Sequence, residues 1–391
     1  MILSKLNINS NNDKILASLS FVIFMPLLLD FIAGLTMEQS SIWTTIIYGV
    51  SFVVIFIVGR FRIRLRNFKS LLIFYSICFF NIVVFPESQK FFETAQLIIL
   101  FYYIPISFLL FRTIRSWDNF VPIMFLLAPI AILMGLYILL FTTISSSDSS
   151  ITYMEFSYAL LPFVCVSYAF YLSKRRIIGF LLFLVGLIEM FSFGCRGAIV
   201  SSMVFVLIST FFNSKQKTSN VFLLSMLIVI VALNISSIFN YVLNLSFFEN
   251  SYVLKRAINE ELFESETRRI ILENCERRLS SMDMEISGLF GDRPYCGSVY
   301  PHNIVYEILM QWGWILGSIF LIYMAFLFIK GFVHNENSRF ITIFFTCTIL
   351  LRFFVSGSYL NSGLFWLMIA CMLSIIRSEE RVVINQSMSN K

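Results

Sequence analysis

Recurring apolar runs of about 17–22 residues, almost free of charge, limit what this chain can become more than any other feature. They lie near 15–36, 42–59, 70–86, 94–111, 120–141, 156–173, 177–193, 198–212, 221–240, 303–329, 340–356 and 363–376. A helix rising 1.5 Å per residue needs about that length to cross roughly 30 Å of hydrocarbon. With 58% hydrophobic residues, 13% charged residues and 45 Phe, the chain cannot build an ordinary water-facing surface. Inside hydrocarbon every backbone N–H and C=O must pair within its own segment, which leaves helices as the natural solution. The expected fold is therefore all-α, a polytopic transmembrane helical bundle of about twelve spans. Its first run follows Lys5 and Lys14 without a clear small-residue cleavage site, so it reads as a retained signal anchor. Residues 356–362, Ser-Gly-Ser-Tyr-Leu-Asn-Ser, read as either a short exterior turn or a break in a helix.

Charge sets the orientation, because short cytoplasmic loops carry the Lys and Arg excess. With the N-terminus inside, nineteen Lys and Arg fall on the interior side, against three outside the long loop: Lys90, Arg196 and Arg352. Both termini are then cytoplasmic, and the one long hydrophilic segment, 241–301, is exterior. Three regions follow: membrane spans over 1–240, an exterior loop over 241–301, and membrane spans with a cytoplasmic tail over 302–391. The net charge of +6 is absorbed by these positive-inside loops, so nothing points to nucleic acid. The basic stretch 60–69 is a topology signal first and an anionic-lipid contact second. No Cys-x-x-Cys or His/Cys cluster suggests a metal, and Asp283 with Glu285 lacks a third ligand. Cys275 and Cys296 share the exterior loop and are able to pair in an oxidising compartment.

The exterior positions that carry polar chemistry are few. Phe193-Gly194-Cys195-Arg196-Gly197-Ala198 is a two-glycine turn holding one arginine. Arg196 either snorkels to headgroups or, together with backbone N–H groups at the start of the next span, binds an anion. A guanidinium fork matches phosphate oxygens well. Within 253–282, Leu254, Ile258, Leu262, Ile270, Ile271, Cys275 and Leu279 recur at roughly helical spacing, which predicts one or two amphipathic helices lying on the membrane domain. Their charges, including Glu264/Arg268 and Glu273/Arg277 at i,i+4, read mainly as a solvated face. Arg268 and Arg269 stand apart because Ile270 and Ile271 place them beside the packed side. The segment 288–317 then passes from a Gly- and Pro-rich stretch through His302 and Asn303 into an apolar run. Only two histidines occur in the chain; His334 lies in an interior loop and is given no role. Asp30 and Glu189 are intramembrane acids near the outer ends of their spans, also without an assigned role.

Gly-Cys-Arg-Gly-Ala before a span, an Arg pair early in a long exterior loop, Gly-Leu-Phe-Gly, then His-Asn opening a helix with Gly313 and Gly317 behind it: this order resembles the O-antigen polymerase and O-antigen ligase superfamily. Cys195 stands where that family usually has Ser. Ser356-Gly357-Ser358-Tyr359 before Phe365-Trp366 is similar to the family as well. The resemblance implies a metal-independent membrane glycosyltransferase without cofactor, in the bacterial inner membrane, acting at its periplasmic face on undecaprenyl-diphosphate-linked oligosaccharides. It also implies membrane lipids and a chain-length regulator as partners. The chemistry agrees: a diphosphate leaving group needs cationic stabilisation, and an acceptor hydroxyl needs a base with a pKa near neutrality. The expectation is His302 as catalytic base, with Arg196 and Arg268 or Arg269 holding the diphosphate and Arg293 and Arg352 as further contacts. Asn303, Glu307 and Tyr359 are expected to bind sugar or orient the base, packing being the alternative for Glu307. Polymerase is preferred over ligase, which differs only in taking lipid A core as acceptor. A transporter or flippase would place its polar groups at the midplane, whereas these cluster at one face.

Overall fold

The structure, a computed structural model, describes residues 10–36, 41–59, 97–141, 153–174, 176–193, 195–212, 266–281 and 301–389, with isolated pairs between 71 and 84. Every regular element among them is helical. In chain order these are α1 (Asn11–Thr36), α2 (Ser41–Gly59), a π turn (Ile99–Tyr103) running into α3 (Ile104–Thr113), α4 (Phe120–Phe125), α5 (Ala128–Phe141), α6 (Tyr153–Lys174), α7 (Ile177–Phe193) and α8 (Arg196–Phe212). After them come α9 (Glu266–Ser281), α10 (Ile304–His334), α11 (Glu336–Phe345), a second π turn (Thr346–Leu350), α12 (Arg352–Val355), a 3-10 turn (Tyr359–Asn361) and α13 (Gly363–Ser389). Among the described residues, five helical segments are long and apolar enough to cross a membrane, and five shorter apolar helices accompany them. The protein is an all-helical membrane protein. The run expected at 221–240 and most of the loop at 241–301 lie outside the described residues, and 70–86 is described only in part.

The bundle is built around α6, in which residues 156–170 are buried without exception. A helix that is apolar all round has no face to offer water or lipid and belongs at the centre. Against it α1 buries Leu16, Leu19, Val22 and Ile23. The helix α7 comes close because Gly186 makes room for Val164 and Gly179 for the Ser167 backbone, the small-residue contact that brings membrane helices together. The outward side chains are large and apolar, Ile57, Leu133, Ile188 and Ile322 among them, as a hydrocarbon-facing surface requires.

The helix α10 departs from the single span expected over 303–329. Gly313 has φ 73° and ψ 174°, a conformation open almost only to glycine. A Cβ at Gly317 would lie 3.1 Å from the Cα of Leu309, although eight residues of straight helix rise about 12 Å. The chain therefore bends sharply, and α10 is a short limb, 304–312, followed by a limb over 314–334. The second limb is about 30 Å long, enough to cross a bilayer by itself. Its residues Ile315, Ile319, Ile322, Phe326, Ile329 and Val333 form one exposed stripe. The short limb carries the polar positions.

Within the stretch 253–282, α9 is an amphipathic helix over Glu266–Ser281, and it braces that bend. Ile271, Cys275 and Leu279 bury against Leu309 and Met310, the Tyr306 hydroxyl donates to Glu276 Oε1 at 2.7 Å, and Trp314 Nε1 donates to the Leu279 carbonyl at 3.3 Å. Ile270, expected on the packed side, is 50% exposed, because the seam is the four-residue series 271, 275, 279 and its neighbour is turned about 100° away. Glu273 pairs back to Arg269 at 3.6 Å instead of forward to Arg277.

Candidate functional site

Most of the polar groups singled out in the sequence gather at one end of the bundle, around the chain segment 352–359. This segment starts after the π turn Thr346–Leu350 and contains Gly357 at φ 87°. Insertions of this kind are frequent at functional sites because they re-aim the side chains that follow. At its start, Arg352 lays its guanidinium over the Tyr158 ring, 4.7 Å from the centroid, while its buried Nε has no hydrogen-bond partner among the described residues. Asp30 in α1 lies within electrostatic reach both of it and of Glu155 in the first turn of α6. Ser356 Oγ sits 3.2 Å from Met154 Sδ, which closes the segment onto α6.

Tyr158 joins this group to the glycine turn before α8. Its hydroxyl occupies the space where a side chain at Gly197 would stand, and it hydrogen-bonds Cys195. Burial pushes the Cys195 thiol up, partly offset by backbone N–H groups of α8, by Arg352 and by Tyr158. Arg196, the next residue, opens α8 half-buried, and its side chain makes no ion pair among the described residues. Arg352 and the turn that carries Arg196 therefore meet on Tyr158, at one end of α6 and α8.

The other end of the segment reaches the short limb of α10. The buried Glu307 carboxylate accepts hydrogen bonds from the Ser358 hydroxyl and, at 3.3 Å, from the Tyr359 N–H. One turn further on, Gln311 Oε1 accepts from the Tyr359 hydroxyl, which itself accepts from Trp312 Nε1 at 3.0 Å. Tyr359 is 1% exposed, so both functions of its hydroxyl are spent inside the protein. It holds the segment in place, as Glu307 does. Asn303 is the N-cap of α10, its Oδ1 accepting from Val305 N at 2.9 Å and Tyr306 N at 3.4 Å, which satisfies two of the orphan donors of the first turn. That work leaves Asn303 as a structural cap. His302 precedes it, half-buried, with φ 54°, a left-handed conformation uncommon for a side chain this large.

Among the expected site residues, Arg352, Glu307 and Tyr359 are thus joined on this one end, Arg196 follows the turn that packs on Tyr158, and His302 and Asn303 lead into the limb that carries Glu307. Arg269 sits on the outer face of α9, 69% exposed in its pair with Glu273. Arg268 belongs to the same helix, and Arg293 lies outside the described residues. Glu189 is fully buried where Gly135 of α5 makes room for its carboxylate, which has no hydrogen-bond partner among the described residues. Sequence reasoning missed Tyr158, Ser358, Gln311 and Trp312. Gln311, four residues after Glu307 in an apolar stretch, was the legible signal of a buried polar face; Tyr158 had none.

Fold and site together define a helical membrane protein with a cationic, hydrogen-bonded cluster under one end of its bundle. No family model matches the chain, and no curated protein or solved structure does either.

Proposed function

We propose that this protein is an inverting, metal-independent glycosyltransferase that joins undecaprenyl-diphosphate-linked oligosaccharide repeat units, an O-antigen polymerase. In this reading the chain is a bundle of about twelve spans in a bacterial inner membrane, with both termini cytoplasmic and the Arg352 end periplasmic. The observation that carries it is the meeting of Arg352 and the Arg196 turn on Tyr158, two cations prepared for one anion in a setting of low dielectric where each is worth more than in water.

The reaction follows from that arrangement. Arg196 and Arg352 hold the donor diphosphate, with Arg268 or Arg269 and Arg293 as further contacts. The acceptor hydroxyl oxygen forms the new bond to the anomeric carbon while the bond from that carbon to the phosphate oxygen breaks. The electron pair leaves with undecaprenyl diphosphate, and the hydroxyl proton passes to the His302 imidazole. A single in-line displacement inverts the anomeric centre. Glu307 and Tyr359 fix the segment that carries Arg352, and so act by positioning it.

The test of the base is turnover of a lipid-linked repeat by His302→Asn. Asparagine accepts the left-handed backbone at this position, so the change removes the imidazole without straining the loop. Loss of a general base predicts a fall of about 10²–10⁴-fold; a rate near wild type across neutral pH removes the assignment. For Arg196→Gln, undiminished binding of undecaprenyl diphosphate overturns the phosphate role. Supplying both a lipid-linked repeat and a lipid A core as acceptors, and finding product only on the core, replaces polymerase by ligase.

A further inference from the structure

The end of the bundle opposite Arg352 holds a pocket that the glycosyl-transfer reading does not use. It measures about 370 Å³ and lies between α4, the last turn of α6, the end of α8 and the start of α11. Four charged side chains line it, Lys174, Arg339, Asp118 and Glu336, together with Trp117 and Ser209. Arg339 is built into the wall. Its guanidinium lies over the rings of Phe212 and Phe332 at 5.4 and 5.6 Å, and its Nε donates to the Phe332 carbonyl at 3.0 Å. The terminal nitrogens are therefore oriented before any ligand arrives, and a planar fork so held suits phosphate. Neither Arg339 nor Lys174 makes an ion pair among the described residues. The wall also contains two buried donors, Trp117 Nε1 and Ser209 Oγ, that have no hydrogen-bond partner there. An indole N–H can only donate, so what satisfies it must be an acceptor.

The two carboxylates narrow the choice. Asp118 accepts hydrogen bonds from the neutral Asn337 and Ser116 and makes no ion pair among the described residues, and Glu336 is exposed in the first turn of α11. A bare anion would meet both negative charges. A ligand with a phosphate and an amine answers all four groups at once. The wall names the compartment it comes from: Val121, Pro122, Leu172, Phe212, Phe340 and Ile343 line it beside the charges, and the helix ends around it carry Phe211, Val333 and Ile177 at 58, 68 and 71% exposure, apolar surface of the kind that faces lipid. We propose that this pocket binds the headgroup of a zwitterionic, amine-bearing phospholipid. The phosphodiester sits between Arg339 and Lys174, the ammonium faces Glu336 and Asp118, and the first methylenes of the acyl chains lie over Phe212 and Phe340.

Native mass spectrometry of the full chain in detergent, titrated with phosphatidylethanolamine, phosphatidylglycerol or diacylglycerol, tests this. Phosphatidylethanolamine is expected to remain bound in preference to the other two. Loss of a charge-assisted hydrogen bond in Arg339→Gln predicts about a tenfold weaker retention. Because Arg339 also packs, Lys174→Gln is the safer variant: its side chain is exposed, and a loss of about threefold is expected there with folding untouched. Equal retention of phosphatidylglycerol or diacylglycerol, or unchanged phosphatidylethanolamine retention in both variants, overturns the proposal. Glycosyl transfer is not part of the readout, so failure here leaves the catalytic reading standing.

Discussion

Glu307 shows how a single carboxylate organises the site. It was legible in the sequence as an acid four residues into a helix that starts at Asn303, but its task was not, because Ser358 and Tyr359 lie about fifty positions away and no local pattern joins them. The same holds for Tyr158, an ordinary aromatic in an apolar run until Arg352 stacks on it. Asn303, by contrast, needed nothing distant: a polar residue before an apolar periodic run is a cap by local chemistry alone. The long-range bonds make a prediction. Glu307→Ala leaves a buried hydroxyl and a buried backbone N–H without an acceptor, which costs about 1–3 kcal/mol, whereas Glu307→Gln keeps an amide oxygen in reach and costs less. Thermal unfolding of both variants in the same detergent should therefore rank wild type above Gln and Gln above Ala. An alanine variant as stable as wild type would show that the Ser358–Glu307 link is not what fixes the segment.

At the scale of elements, periodicity and length located nearly every described helix, since apolar runs and their charged ends are written locally. The bend in α10 was not so written. The residues Trp312-Gly313-Trp314 read as part of one apolar run, and Gly313 with Gly317 read as a small-residue spacing within it. Only the backbone shows that Gly313 takes a conformation closed to other residues and that Gly317 receives Leu309 of the preceding limb. The consequence is functional as well as architectural, because the short limb carries Glu307 and Gln311 and follows directly on His302 and Asn303, while the long limb faces lipid. Gly313→Ala is expected to cost about 1–3 kcal/mol from the strained dihedrals and to lower transfer activity along with it, since the limbs cannot keep their angle. Gly49, whose missing side chain faces open space, supplies the control: Gly49→Ala should leave the activity unchanged. If Gly313→Ala matches that control in both stability and rate, the bend does not set the site.

For the molecule as a whole, charge is divided between the two ends. Asn12 bonds the Ser116 carbonyl, Asn119 bonds Asp13, and Asn337 bonds Asp118, so the start of α1, the loop before α4 and the start of α11 meet at one end, with Lys14, Arg115, Lys174 and Arg339 among them. Asp30, Glu155, Arg196, Glu307 and Arg352 are at the other. Of the basic residues counted as interior in the sequence, Lys14, Arg115, Lys174 and Arg339 thus stand at one physical end of the bundle, since loop charges are excluded from hydrocarbon and must leave where the helix ends. What the count could not reveal is that the same end closes around a pocket, since Trp117, Lys174, Ser209 and Arg339 come from four separate segments. Orientation can be read directly with single cysteines at exposed positions of the two ends, Glu155→Cys and Glu336→Cys. Cys78 and Cys296 are first replaced by Ser, and the remaining Cys165, Cys195, Cys275, Cys347 and Cys371 are all buried, which keeps background labelling low. A membrane-impermeant maleimide applied to cells with a permeabilised outer membrane should label Glu155→Cys at once and Glu336→Cys only after the inner membrane is opened. The reverse order would put the arginine cluster in the cytoplasm, where a diphosphate-linked donor awaiting polymerisation is not presented, and would end the polymerase reading whatever the His302 variants show.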